Sequence, residues 1–212
     1  EMLVGDDLGI ESFEQTGAPL PDGWYTVQYS GTGDWTVGDE CYYKPYGYVS
    51  GLFASADSDT YTTDVFDVGL FTPSFDMTGE TAVTIECDGN HQDFAGDGAA
   101  EIAVYSGGVY QLSLYYTTTD DPYGGIHHMY TFDPSILPDP SDIQIEFWYS
   151  TEGGTYAWSF AIDNVELYGI SSYILLEDFE GTGGAGLAWC DLPGWTDVQT
   201  SIWDNWTQYD DG

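Results

Sequence analysis

Hydrophobic and polar residues alternate with a period of two through much of the chain, and no segment longer than a turn or two carries a 3.6-residue period. In 142–150, Ile143, Ile145, Phe147 and Tyr149 alternate with Gln144, Glu146 and Trp148, which predicts a strand with one buried face. In 81–87, Val83, Ile85 and Cys87 share one face while Thr84 and Glu86 take the other. Segments 100–106 and 109–116 form a further pair, joined by Gly107-Gly108, a dipeptide suited to hairpin turns. Segment 158–167 is a long apolar strand whose inward parity changes between Ile162 and Val165, as a bulge or a two-sided strand requires. Closely spaced strands punctuated by Gly and Pro, with no helices between them, predict an all-β fold. The expected form is an antiparallel β-sandwich of jelly-roll type.

The chain also repeats itself. Ile10-Glu11-Ser12-Phe13-Glu14 followed by Gly23-Trp24-Tyr25-Thr26-Val27-Gln28 matches Leu176-Glu177-Asp178-Phe179-Glu180 followed by Gly194-Trp195-Thr196-Asp197-Val198-Gln199. The match continues in register from Ser30–Thr36 to Ser201–Thr207. The expected organisation is therefore a sandwich over 1–169 and, over 170–212, a partial second copy that opens a new repeat. A segment that short cannot bury a core of its own, and its opening strand, 172–180, would present an unpaired edge. It would complete its sheet in a longer tandem array, in the first domain of the same chain, or in a neighbouring copy. Strand addition between copies is a head-to-tail contact that propagates into a filament.

Composition narrows the partners. There are 37 Asp and Glu against one Lys or Arg, Lys44, for a formal net charge of −36. Nucleic acid is excluded, because phosphate binding needs a basic footprint. An anionic membrane surface is disfavoured for the same reason, and no apolar run approaches a membrane span. With 8 Trp, 18 Tyr and 10 Phe the chain is nonetheless far too apolar for a solvated acidic tail. Bound divalent cations, high salt or an acidic medium would offset the charge. Acidity and aromatic richness point to an extracellular protein, and an opening Glu1 in place of Met reads as a processed or excised product. Of three cysteines, Cys41 and Cys87 are a candidate bridge, leaving Cys190.

Several motifs in order resemble one superfamily. The Phe13-Glu14 opening, Gly23-Trp24, the segment Thr72-Pro73-Ser74-Phe75-Asp76 and the closing Ala161-Ile162-Asp163-Asn164-Val165 are similar to the MAM-like group. This group includes cleaved-adhesin and choice-of-anchor jelly-roll domains of secreted surface proteins. The resemblance spans about residues 8–169, with a second opening at 175–207. It implies a non-catalytic adhesive sandwich with a structural cation where the first and last strands meet. Glu14 and Asp163 would be its ligands and Glu11 a further candidate. The long insert 115–128 and the extreme acidity depart from the family pattern.

Other chemistry is weighed on the residues alone. Asp88-Gly89-Asn90-His91-Gln92-Asp93 with Asp97 places oxygen ligands densely in what reads as a Gly-rich loop, the donor set a hard cation such as Ca²⁺ takes. Asp88, Asn90, Asp93 and Asp97 are the candidates there, against the plainer reading of a solvated acidic loop. A second acidic stretch runs from Asp57 and Asp59 to Asp67. His127 and His128 are adjacent, so in a strand they point to opposite faces and cannot chelate together. No nucleophile elbow, zincin motif or phosphate loop is present. Strand 142–150 offers only Glu146 amid apolar partners, which falls short of a glycosidase pair. Tyr42-Tyr43, Tyr46, Tyr48 and Tyr115-Tyr116 are candidates for a sugar-stacking platform, although tyrosine on half-buried strands is ordinary. The expected function is a non-enzymatic, calcium-stabilised extracellular module that assembles with copies of itself. The alternative is a carbohydrate-binding module whose partner is a polysaccharide.

Overall fold

The computed structural model describes residues 20–38, 53–58, 65–93, 96–122, 124–151 and 157–169, together with the backbone of Tyr173–Leu175. The chain divides into two compact units, Glu1–Glu177 and Asp178–Gly212, and the second lies wholly outside the described residues. In the first unit the strands are β1 (Tyr25–Gly31), β2 (Thr36–Gly38), β3 (Phe53–Asp57), β4 (Phe66–Phe71), β5 (Val83–Gln92) and β6 (Ala99–Ser106). They continue with β7 (Val109–Thr117), β8 (Ile126–Phe132), β9 (Ile143–Ser150), β10 (Ser159–Gly169) and β11 (Tyr173–Leu175). One five-stranded sheet runs β1-β4-β9-β6-β7; the other runs β2-β3-β10-β5-β8, with β11 also paired to β10. All pairings are antiparallel. The architecture is the antiparallel jelly-roll sandwich that the alternation predicts.

The core lies between the sheets. From the five-stranded sheet it takes Phe66, Val68, Leu70, Ile102, Val104, Ile143, Ile145, Phe147 and Tyr149; from the other, Ala54, Ala56, Val83, Ile85, Cys87, Phe160, Ile162, Val165 and Leu167. These are the period-two positions of each strand. Two tryptophans close the ends of the stack: Trp24 lies over Phe147, and Trp35 meets Phe160 edge-on.

Local features follow from individual residues. Gly107 and Gly108 both adopt positive φ, 59° and 72°, as the two-residue turn between β6 and β7 requires. The parity change in β10 is a bulge: the register with β5 shifts between Asp163 and Glu166, and Asn164 sits at φ 57°. Across the Thr72-Pro73 corner, where proline has no N–H, Thr72 keeps the pairing to β9. Its N–H donates to the Ile145 carbonyl, and its hydroxyl accepts from the Ile145 N–H.

The structure corrects two expectations, the 88–92 loop and the Cys41–Cys87 bridge. Residues 88–92 are not a loop but the second half of β5, carried on by pairing with β8 and β10. Where it is described, the segment after 170 pairs within the same chain, one of the expected arrangements: Tyr173 and Leu175 pair with Tyr168 and Leu167 of β10. Cys87 is a buried free thiol rather than half of a bridge, and Cys41 lies outside the described residues.

Candidate functional site

The two outer faces of the sandwich differ. On the six-stranded sheet, the outward positions Ser55, Asp57, Asn90, Ser159 and Asp163 are buried. On the five-stranded sheet, the outward positions include tyrosines open to solvent: Tyr25 is 42% exposed, Tyr29 47% and Tyr110 47%.

Tyr25 and Tyr110 belong to a row of rings running across the strands. Tyr25 of β1 stacks on Phe71 of β4 with centroids 5.2 Å apart and planes 6° from parallel. Phe71 meets Tyr105 of β6 edge-on at 5.0 Å, and Tyr105 meets Tyr110 of β7 edge-on at 5.8 Å. Strand β9 lies between Phe71 and Tyr105, and pairs its Glu146 with Phe71 and its Gln144 with Tyr105. Those two smaller side chains let the aromatic rings close over the central strand. The row crosses all five strands, about 19 Å at ordinary strand spacing.

Glu146 anchors the face. It is only 3% exposed, although it points outward, and its Oε1 accepts a 2.6 Å hydrogen bond from the Tyr29 hydroxyl. Strand β4 separates the two, and the space that they share lies over Gly69. A Cβ on Gly69 would stand 2.0 Å from Oε1 of Glu146. Tyr29 itself is the extra residue of a bulge: Gln28 pairs with Val68 and Ser30 with Asp67, leaving Tyr29 to lean across. Burial, then the nearby charges of Glu101 and Asp67, hold the Glu146 carboxyl above its ordinary range; hydrogen bonds from Tyr29 and Tyr105 partly offset this. Burial is also the main cause that pushes the Tyr105 phenol up to about 12.

Several donors of this face are turned to acceptors of the same face. The Tyr25 hydroxyl donates to Oε1 of Gln144 and the Tyr110 hydroxyl to Oε1 of Glu101. The Trp148 indole and the Ser30 hydroxyl both donate to Asp67. What these groups leave toward solvent is chiefly aromatic surface and carboxylate lone pairs.

The expected metal ligands fall elsewhere. Asp88 and Asp163 are directly opposed on β5 and β10. Asp88 is already engaged: His127 Nδ1 lies 2.8 Å from its Oδ1, and the Asn164 amide donates to its Oδ2. His127 also lies 3.4 Å from Glu86, and hydrogen bonding to Asp88 holds its imidazole above the ordinary histidine range. The Asn164 N–H donates to Oδ1 of Asp163. Asn90 stands opposite Ala161. Asp93 shapes the turn after β5, with its Oδ1 accepting from the N–H groups of Asp97 and Gly98. Among the described residues no group of three or more His, Cys, Asp or Glu is placed to hold a metal ion. Glu11 and Glu14 lie outside them.

Of the expected tyrosine platform, Tyr42, Tyr43, Tyr46 and Tyr48 lie outside the described residues. Tyr115 packs on His128 at 4.5 Å and donates to Asp121, so it serves the interior. Tyr116 is 54% exposed. The aromatic row was missed because its members come from four strands far apart in sequence. The signal that could have found it is the outward parity of Tyr25, Phe71, Tyr105 and Tyr110 beside Gln144 and Glu146.

No protein-family model matches the chain, and no curated protein does. Among solved structures, it is similar to the K1 cleaved adhesin domain of Lys-gingipain from Porphyromonas gingivalis. The identity is 20% and the TM-score 0.49, covering 74% of this chain and 95% of that one. The K2 cleaved adhesin domain of Lys-gingipain matches at 17% identity and TM-score 0.45, covering 74% and 94%. The CBM22-1-GH10 modules of Clostridium thermocellum xylanase 10B, solved with xylohexaose, match at 12% identity and TM-score 0.45, covering 76% of this chain and 28% of that one.

Proposed function

We propose that the chain is a non-enzymatic extracellular adhesive module that binds a polysaccharide on the outer face of its five-stranded sheet. The row Tyr25–Phe71–Tyr105–Tyr110 carries this reading. Its rings are fixed to one another and to the sheet, and four of the face's tyrosines, Tyr25, Tyr29, Tyr110 and Tyr116, stand open to solvent. Sugar rings have apolar faces and polar edges, which a tyrosine platform matches. Held rotamers reduce the entropy lost on binding. A row across several strands suits an extended chain with a repeating unit.

Glu146 and Glu101 are engaged in holding tyrosines of the face and Asp67 in holding Trp148 and Ser30, which favours binding over hydrolysis. Ca²⁺ enters the proposal as a structural cation beside Asp163, with Glu14 and Glu11 as its further ligands. Head-to-tail assembly through 172–207 draws its support from the sequence repeat alone, and Tyr173–Leu175 pair within the chain. Affinity electrophoresis through gels containing different polysaccharides tests the binding reading. Retardation by at least one gel is expected, with loss in Tyr25→Ala and Tyr110→Ala and no release of reducing ends. Retardation that survives both substitutions would overturn the assignment to this face.

A further inference from the structure

We infer that the polymer taken by the aromatic face is built of amino sugars, whose ammonium groups meet Glu101 and Asp67 while their rings lie on the exposed tyrosines. This rests on the polysaccharide reading above and narrows it to one chemical class.

The first ground is the inventory of donors and acceptors. The hydroxyls of Tyr25, Tyr29, Tyr110 and Ser30 and the Trp148 indole all donate to acceptors of the same face. Ionised carboxylates accept only, and each has about four lone-pair sites. Glu101 and Asp67 are half-buried and each retains accepting capacity toward solvent. The complementary ligand is rich in donors. An ammonium group provides three and no acceptor.

The second ground is charge. Glu101 lies diagonal to Glu146, since Glu101 pairs with Trp148 and Ala103 with Glu146. Asp67 stands on the other side, tied to Trp148. Three carboxylates thus share one face of a chain with a single Lys or Arg among 212 residues. Polymers of uronic acids or sulfated sugars would be repelled and would find no cation to pair with. A cationic group would gain charge-assisted hydrogen bonds, and the surrounding rings add attraction of their own for a cation.

The third ground separates an amino sugar from a basic peptide. Tyr25, Tyr105 and Tyr110 are linked into one row through the buried Phe71, with carboxylates beside it at intervals set by the strands. A polymer whose every unit carries both a flat apolar ring and an amine matches that pattern. A lysine or arginine side chain brings the charge without the pyranose face.

The test is calorimetric titration of the full chain with glucosamine oligomers of equal length, either fully deacetylated or fully N-acetylated, at physiological salt. The deacetylated oligomer should bind about tenfold tighter, the value of one charge-assisted over one neutral hydrogen bond. Glu101→Gln should reduce that preference and Glu101→Gln with Asp67→Asn should erase it, while Tyr25→Ala should weaken both oligomers. Equal affinity for the two oligomers with loss in Tyr25→Ala would overturn the amino-sugar inference and leave the polysaccharide reading standing. Binding of the deacetylated oligomer that ignores Tyr25→Ala would show mere attraction to an acidic protein and overturn the inference. Failure of every oligomer and every polysaccharide gel would remove both. Oligolysine binding as tightly, with the same sensitivity to Tyr25→Ala and Glu101→Gln, would overturn it in favour of a basic peptide.

Discussion

The Tyr29 hydroxyl donates a 2.6 Å hydrogen bond to Oε1 of Glu146 across an intervening strand, over the one position where that strand carries glycine. Three local choices make the contact. A bulge frees Tyr29 from the β1 register, Gly69 removes the obstacle on β4, and Glu146 takes the outward parity of β9.

Tyr29→Phe tests the hydrogen bond. It leaves a buried carboxylate one donor short, so we expect a loss of about 1–3 kcal/mol in chemical denaturation. The Glu146 carboxyl should also move further above its ordinary range, because the Tyr29 hydrogen bond is one of the two that lower it. Titration of Glu146 by NMR would show this, and an unchanged midpoint would refute the coupling.

Gly69→Ala should be more harmful than its size suggests. The added methyl falls on Oε1 of Glu146, so either the carboxylate or the strand must move, at about 1–3 kcal/mol. Glu146→Ala in the same chain should relieve the clash. A double-mutant cycle reporting simple additivity would mean that the two residues do not meet.

His127 and His128 should give stability opposite slopes with pH. His128 is buried, and its pKa is lowered from 6.5 to about 4, chiefly by desolvation. As pH falls below 6.5 the unfolded state takes the proton first, so stability declines between 6.5 and about 4, by on the order of 3 kcal/mol at most. His127 is raised above 6.5 through Asp88. Its contribution is complete below 6.5 and fades as pH rises through the folded value. Melting curves against pH should lose the acid-side decline in His128→Phe and the decline above 6.5 in His127→Gln; unchanged profiles would contradict these assignments.

If Ca²⁺ binds beside Asp163, a chelator should lower the melting temperature and Asp163→Asn should abolish the difference. Melting that is insensitive to chelator in the native chain would exclude a structural cation. Neither result depends on the polysaccharide site.

Cys87 is fully buried, and desolvation followed by the charges of Asp88 and Glu86 pushes its thiol well up. It should resist thiol reagents in the native protein and react once denaturant unfolds the chain. Rapid modification under native conditions would show that the strand opens locally.

The sequence by itself determined the fold class and the buried set. Alternation fixed which of Ile143, Ile145, Phe147 and Tyr149 face inward, the Gly-Gly turn and the β10 bulge were visible as patterns, and adjacency alone placed His127 and His128 on opposite faces. These are properties of consecutive residues on a pleated backbone. It misread 88–92 because five polar or glycine residues in a row look like a loop. Pairing on both sides with β8 and β10 supplies the hydrogen bonds that local propensity lacks.

Only the tertiary structure decided the candidate site. Tyr25, Phe71, Tyr105, Tyr110 and Glu146 are dispersed over more than half the chain, and the antiparallel order β1-β4-β9-β6-β7 alone makes them neighbours. The same order gave Gly69 its meaning, since a lone glycine in a strand says nothing until one knows which side chain crosses it.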